Sequence, residues 1–513
     1  MIQRTRLGLL LLTAVLLQAP GGCAPGARAP GTPDTLRIGV NTLPVSLGNP
    51  FRGNGRPSTL VWNSLFDGLT QLAPNGKLVP ALALRWNAPS PTSWHFELRP
   101  GVRFANGRAF DAAAAVRVFN WLLSPAGRRT VIGNELRLVK AVRATGHLTL
   151  EMTTSEPDPI LPKRLVAAMM VEPDLWERLG PEGFALQPVG TGPYVMTGWD
   201  QRRRRADAVA NRYSWRPVGF KQLRWIELPE AAVRTQALLS GDVDVAPIEI
   251  EEMDRLVDRR FPIVTAPSMS VMSVALVNQR KTPHPVMDVR VRRALNYAVD
   301  KEALAAILLR GLGRASGQPA AHVTSGYNPA VKPYPYDPAL ARRMLAEAGY
   351  PNGFDLVIEI QINAFPADSL IYQSVAHDLR QVGVRPVLRT VTFADYLRKL
   401  ANNGWAGDAF GASWNGAPHN DVTRGLESFS CKRPNAFFCD KPLTDALTQA
   451  SHLTDETART SAMAGLAQRF HDMAPTLFLV EQVDMYAHRP GLAGVQIVNR
   501  VPALDEIRER EGS

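Results

Sequence analysis

Between about residues 350 and 415 the chain alternates between strand-like and helix-like apolar spacing. FDLVIEIQI (354–362), VRPVLRTVT (384–392) and DAFGASW (408–414) read as strands. SLIYQSVAHDLRQVG (369–383) reads as an amphipathic helix with Leu370, Ile371, Val375, Leu379 and Val382 on one side. FADYLRKLANNG (393–404) is a second helix. The order βαβαβ predicts a mixed α/β domain with parallel pairing.

The same alternation runs through the rest of the chain. DAAAAVRVFNWLL (111–123) is a helix with Asp111 as its N-cap, and LTLEMTT (148–154) alternates as a strand. PEAAVRTQALLSGDVDVAP (229–247) predicts a helix, a stop at Gly241 and a short buried strand. DVRVRRALNYAVDKEALAAILLRG (288–311) predicts two consecutive helices ending at Gly311. The Pro-rich stretch 325–340 is a surface crossing.

At 513 residues, with 45% apolar side chains, the chain has room for two or three domains with substantial cores. Its formal charge is +11, with the densest basic run at Arg202–Arg205. That run enters the second strand of a hairpin whose first strand is Tyr194 to Trp199. A solvated face accounts for it; contact with an anionic membrane is the alternative.

The N-terminus adds a compartment. Arg4 and Arg6 precede an apolar run from Leu7 to Leu17, followed by small residues, which is the layout of a signal peptide over residues 1–22. The run is short for a bilayer span, which needs roughly 20 residues. Cys23 follows Gly21 and Gly22, as at a lipoprotein cleavage site, although Pro20 stands where Leu is usual. Lipidation of Cys23 and ordinary cleavage further on, for example after Ala29, are the two readings, and both export the chain. Cys431 and Cys439 then sit in an oxidising compartment. They lack C-x-x-C spacing and have no His at ligand spacing, so a disulfide is favoured over a metal or redox site.

Catalytic signatures are scarce: there is no G-x-S-x-G, H-E-x-x-H or Walker loop. GLGRASG (311–317) has the wrong spacing for a dinucleotide loop and follows a helix, so it reads as a helix cap and loop. His284, between two prolines, reads as a loop residue, and Glu251–Glu252 as a solvated pair. No catalytic residues, cofactor or metal site are assigned.

Several stretches occur in a telling order. They are SWHFELRPGVRFANGRAFDAAAAVRVFNWLL (93–123), PVGTGPYVMTGWD (188–200) with NRYSW (211–215), LLSGDVDVAP (238–247), DVRVRRALNYAVDKEAL (288–304) and YDPALARRMLAEAGYPNGFDL (336–356). Together they resemble the extracytoplasmic solute-binding proteins of ABC importers, family 5, the dipeptide, oligopeptide, nickel and opine-binding type. The resemblance implies an α/β, two-lobed periplasmic-binding-protein-like fold of type II, in the large peptide-binding form. Lobe I would hold 35–70, 188–275 and 478–513, with an inserted subdomain at 71–187, and lobe II would hold 276–477. Strands near 270–279 and 477–483 would form the hinge. It also implies a monomer, periplasmic or otherwise extracytoplasmic, that captures a small solute, a short peptide or peptide-like compound, and delivers it to an inner-membrane ABC permease, with no nucleic-acid partner. A sensor for a non-peptide ligand (opine, sugar or metal chelate) and a secreted hydrolase are the other readings.

In peptide-binding relatives a Trp followed three residues later by Asp precedes the cysteine loop, and that Asp holds the peptide ammonium. Trp414 matches the Trp, but Ala417 stands at the acid's place. Asp421 or Asp368 would have to substitute, or the ligand differs in class. The resemblance places Pro44 and Asn49, in the loop 41–51, in the cleft. It also places Asn363, and Asn415, His419 and Asn420 beside Trp414, which is expected to face the ligand. Trp62 is expected in the core. The Cys431–Cys439 bridge would steady the loop just after this segment.

Overall fold

Helix boundaries follow the caps the chain offers. The computed structural model describes residues 34–53, 55–362, 365–402 and 404–510. In it Asp111 caps the helix Ala112–Leu123, accepting from Ala114 N at 2.9 Å. The helix Ala231–Ser240 stops at Gly241, whose φ of +77° suits a residue without a Cβ. The helix Asp368–Gln381 forms as expected, but its stripe is rotated: Ile371, Tyr372, Val375, Ala376 and Leu379 are buried. Leu370 is 47% exposed, a correction to its expected place on the buried side. It lies one residue, about 100°, off the 371–375–379 row. The segment 311–317 is a loop but contains a two-residue strand, Arg314–Ala315. The run Arg202–Arg205 falls mostly in the turn between strands Tyr194–Asp200 and Arg205–Ala210. Arg204 there pairs with Glu227 and Arg205 with Asp207, while Arg202 is exposed.

Two long strands run side by side at the middle of an eleven-stranded sheet: Ile263–Leu276 and Thr476–His488, antiparallel. Every residue of Thr476–His488 is buried, as befits a strand covered on both faces. On one side lie, in order, Val245–Pro247, Thr35–Val40, Gln222–Glu227, Arg205–Ala210 and Tyr194–Asp200. On the other lie Ala409–Asn415, Asp355–Ile360 and Arg385–Thr390, parallel to one another. These last three are the predicted βαβαβ unit.

A separate four-stranded antiparallel sheet is inserted into the first half of the chain, in the order Ala83–Ser90, Ser93–Leu98, Thr149–Thr154, Val139–Gly146. Its core is continuous with that of the strand Thr35–Val40: Phe96, Leu122 and Leu150 belong to one apolar cluster with Leu36, Trp225 and Tyr486. The second half has its own clusters, one around Val274, Leu295, Ile358 and Leu479, another around Trp414, Phe429 and Phe438. Leu238, Val243 and Ile248 join the first of these, so that core reaches across the central strands. Among the described residues no helix is long and apolar enough to cross a membrane.

Cys431 and Cys439 are disulfide-bonded, with Cα atoms 4.6 Å apart. The loop they close carries Phe437 and Phe438, both buried against Phe429. Cys431→Ser is expected to lower stability by about 2.5 kcal/mol through the freed loop entropy. Urea unfolding checks this: the midpoint falls while the slope is unchanged.

Candidate functional site

The central strands break register twice, between Pro267 and Val271 and again between Met272 and Ser273, and the first break is the longer. Pro267 pairs with Val483 and the pairing resumes at Val271 with Glu481, so Ser268, Met269 and Ser270 bulge out. Here the strand Ile263–Leu276 leaves one half and begins pairing with Ala409–Asn415 of the other. Two of the three side chains at the break are serines, and the third, Met269, packs with Leu72 and Ala417. Ser270 Oγ lies 3.0 Å from Ser413 Oγ, and Ser268 Oγ and Gln482 Nε2 are buried without a protein partner. Both halves meet along the seam that opens from this point.

The loop 41–51 is held from below by Trp62, whose Nε1 donates to Leu47 O at 2.7 Å. Trp62 is buried, as expected of a core residue. Pro44 is buried and its carbonyl accepts from Leu47 N in a turn. Asn49 is also buried, and its Oδ1 accepts from Phe51 N, so its side chain shapes the loop. Asn363 lies outside the described residues, as do Cys23 and the segment 1–22. Asp368 is buried at the start of its helix, where Phe365 N donates to its carboxylate. Its charge reaches Glu249 of the first half. Burial, with a smaller push from Glu251 and Asp368, holds the Glu249 carboxyl above its usual range despite Arg56 and Arg234. Nearby, Asp484 on the central strand is flanked by Arg56 at 2.9 Å and Arg500 at 3.3 Å.

Trp414 departs from expectation. It is 4% exposed and packs against Phe429, with centroids 4.7 Å apart, and Phe437, at 6.0 Å. The ring packs into the aromatic core of the second half, where the disulfide loop supplies Phe437, and its Nε1 is buried without a hydrogen-bond partner. Asn415 Oδ1 accepts from Ala417 N and its carbonyl accepts from Arg424, so it folds the loop after the strand.

That loop ends in three residues the structure brings to the seam. Asn420 Nδ2 donates to Gly76 O at 2.9 Å and to Val323 O at 3.1 Å, bridging the halves. His419 is 1% exposed, with neither ring nitrogen hydrogen-bonded to protein. Asp421 is fully buried. Its carboxylate accepts from Arg459 at 2.6 and 3.0 Å, from Lys163 at 3.0 Å, and from the Thr423 hydroxyl and amide. Burial opposes its charge, but Arg459 and Lys163 outweigh that and hold it far below the usual carboxylate range. This corrects the expectation that Asp421 could receive a ligand ammonium: its acceptor sites are spent on the protein.

Facing these residues from the inserted segment are Glu135, Lys163 and Arg164, which carried no signal in the sequence. Glu135 Oε2 lies 3.7 Å from His419 Nε2 and 3.7 Å from Arg164, and its Oε1 lies 3.5 Å from Arg424. Burial would raise the Glu135 carboxyl, yet the charges around it hold it below its ordinary value. Burial drives His419 down to about 3, which leaves the arginines to supply that attraction. A cavity of about 290 Å³ abuts Pro418 of the same loop. It is walled by Trp62, Asn63, Gln71 and Asn499, and its floor is Arg216, bridging Asp67 at 2.9 Å and Asp505 at 2.7 Å. Its size is at the low end for a small-ligand site. Among the described residues no group of three or more His, Cys, Asp or Glu side chains is arranged to hold a metal ion.

Known proteins with this construction bind solutes. Residues 77–436 match the family model of the bacterial extracellular solute-binding proteins, family 5. A glutathione-binding protein, GsiB, of Pectobacterium atrosepticum is 27% identical over 97% of this chain and 96% of its own. Two crystal structures share the fold over 93% of this chain and 100% of theirs. One is a dipeptide-binding protein from a Pseudoalteromonas species in complex with Met-Leu, at a TM-score of 0.80 and 20% identity. The other is NikA from Brucella suis in complex with Fe(III)-EDTA, at 0.80 and 22%. The two halves are therefore the two lobes of such a protein, the paired central strands are their connection, and the chain belongs to family 5 of the bacterial extracellular solute-binding proteins, the binding components of ABC importers.

Proposed function

We propose that this chain captures a short peptide or peptide-like solute in the seam between its lobes and delivers it to a membrane permease. The observation that carries this reading is the register break at Ser268–Ser270. It is the longer of the two breaks in the central pairing, and the loop 415–421 and the buried polar groups gather around it. A bulge bends a strand where it occurs, so the lobes can rotate about it and a ligand can stabilise the closed form. The working division is lobe I at 35–70, 188–275 and 478–513, the inserted subdomain at 71–187, and lobe II at 276–477. The signal at 1–22 and lipidation at Cys23 would place the monomer outside the cytoplasmic membrane, in the periplasm or anchored to the membrane face.

The acid pattern favours a ligand whose ammonium is not presented as in an α-linked peptide. Ala417 offers no charge and Asp421 is already paired. Glutathione, the solute named for the relative GsiB, joins its first two residues through a side-chain carboxyl. Its ammonium therefore sits beside a free carboxylate. Such a zwitterion suits a wall that carries both signs, as Glu249, Arg56, Asp484 and Arg500 do.

Calorimetric titration and thermal unfolding with glutathione, an α-linked dipeptide and Fe(III)-EDTA test the reading. Glutathione at a hundred times its Kd is expected to stabilise the protein by about 2.7 kcal/mol. Binding of the iron chelate alone would overturn the peptide-like assignment.

Closure should also depend on pH. The His419 ring is held near 3 in the closed seam, against about 6.5 when solvent reaches it. Its neighbours there are Glu135 and Arg164 of the inserted subdomain, with Arg424 and Asp421 of its own lobe. A depressed His value means that the closed state binds fewer protons, so closure is favoured above about pH 6.5 and weakens as pH falls toward 3. Affinity for glutathione, whose own groups do not titrate in this window, is expected to fall about tenfold between pH 7.5 and 5.5. In His419→Gln the profile should be flat.

A further inference from the structure

The inserted subdomain treats the two lobes differently. Against lobe I it is apolar and continuous: Phe96, Phe119 and Leu150 share a core with Leu36, Trp62 and Trp225. Against lobe II it presents charge. Lys163 reaches Asp421 at 3.0 Å, Arg137 reaches Glu427 at 3.0 Å, and Glu156 reaches His452 at 3.0 Å. Glu135 stands 3.5 Å from Arg424. The apolar part of this contact is a small cluster of Leu72, Met269 and Ala417, with Leu78, Val166 and Val323 packed against it. A shared apolar core moves as one body, while a thin polar contact separates.

The pairs are complementary in sequence and sign. The subdomain contributes Glu135, Arg137, Glu156 and Lys163, with both charges interleaved, so net attraction is small and the contact forms only in one register. The Asp421 end of the Lys163–Asp421 contact is also prepared for release. When the lobes part, Asp421 keeps Arg459 and Thr423, so no buried charge is abandoned. Arg164 similarly keeps Asp158 at 3.0 Å. At the tip of the hairpin Thr70–Pro80, Gly76 has φ +75°, and a Cβ there would lie 2.4 Å from Asn420 Nδ2. The close approach of this turn to lobe II therefore needs a glycine.

We infer that the segment 135–163 of the inserted subdomain is a closure latch, whose ion pairs with 421–452 of lobe II set how long the closed cleft keeps its solute without touching that solute. The inference rests on the proposed solute-binding function and extends it. Lys163, Arg137, Glu156 and Gly76 are positioning residues in this scheme. The ligand selects the closed state and the latch sets its lifetime.

The test uses the full chain with Lys163→Met and Arg137→Met, singly and together, and Lys163→Arg as the rescue. Arg85→Met is the control, since the Arg85–Glu97 pair is exposed on the same subdomain and makes no contact with lobe II. Hydrogen exchange over 72–80 and 415–424 reports seam opening whether or not a solute is known, and stopped-flow release of glutathione reports residence. Lys163→Met is expected to exchange about tenfold faster at the seam and to release glutathione about tenfold faster, with association unchanged. Lys163→Arg and Arg85→Met should behave as wild type, and raising NaCl from 20 to 500 mM should narrow the difference. Equal seam exchange in wild type and Lys163→Met at both salt concentrations overturns the latch. If wild type does not bind glutathione, the ligand assignment falls while the exchange measurement still decides the latch.

Discussion

The paired strands Ile263–Leu276 and Thr476–His488 are the constraint on which the rest of the molecule depends. They belong to both lobes at once, and the sheets of both lobes are built outward from them. Thr476–His488 is buried throughout and Ile263–Leu276 from Ser268 onward, and the longest gap in their pairing is at Ser268–Ser270. A long strand pair with one wide gap in its ladder is stiff elsewhere and softest at that gap. On the proposed reading the lobes rotate about it, while the apolar cluster around Val274 and Leu479 stays anchored on both sides of the central strands.

The soft joint explains the chemistry of the seam. A surface that must open cannot be sealed with apolar contacts alone, since these would aggregate when exposed, nor with unpaired charges, which are costly when closed. The structure meets both conditions by sharing partners. Asp421 is satisfied within lobe II and gains Lys163 on closing; Glu135 lies beside Arg164 of its own subdomain and approaches Arg424 of lobe II. Charges that are already paired lose less when water returns, so the closed and open states stay within reach of a ligand's binding energy.

Much of the fold was legible in the chain because it is locally encoded. Asp111 caps, Gly241 stops a helix, and the 354–414 run alternates as a parallel unit must. The two late cysteines followed from compartment and spacing. The seam was legible only in part. The loop 415–421 was found by its place after Trp414, and His419, Asn420 and Asp421 do reach the other side. Their partners Glu135, Lys163 and Arg164 come from a segment more than 250 residues away, and nothing in ILPKRL or VIGNEL distinguishes them from solvated charges. Trp414 misled for a similar reason. A Trp at a strand end can face a wall or a core, and the choice was made by Phe429 and Phe437, which the disulfide loop folds beneath it.

The acid after Trp414 shows how a loop can keep its charge and change its use. One carboxylate offers about four acceptor directions. Arg459 occupies Asp421 from inside lobe II, Thr423 fixes its orientation, and Lys163 arrives from the inserted subdomain. Bound in this way, the carboxylate is an internal counter-ion between lobe II and the inserted subdomain, with its acceptor sites taken. Glu249 and the Arg56–Asp484–Arg500 row stand on lobe I and on the central strand itself. Under the proposed function, closure and recognition are carried by different carboxylates. The loop after Trp414 can hold the lobes together whichever solute the wall beside the joint admits.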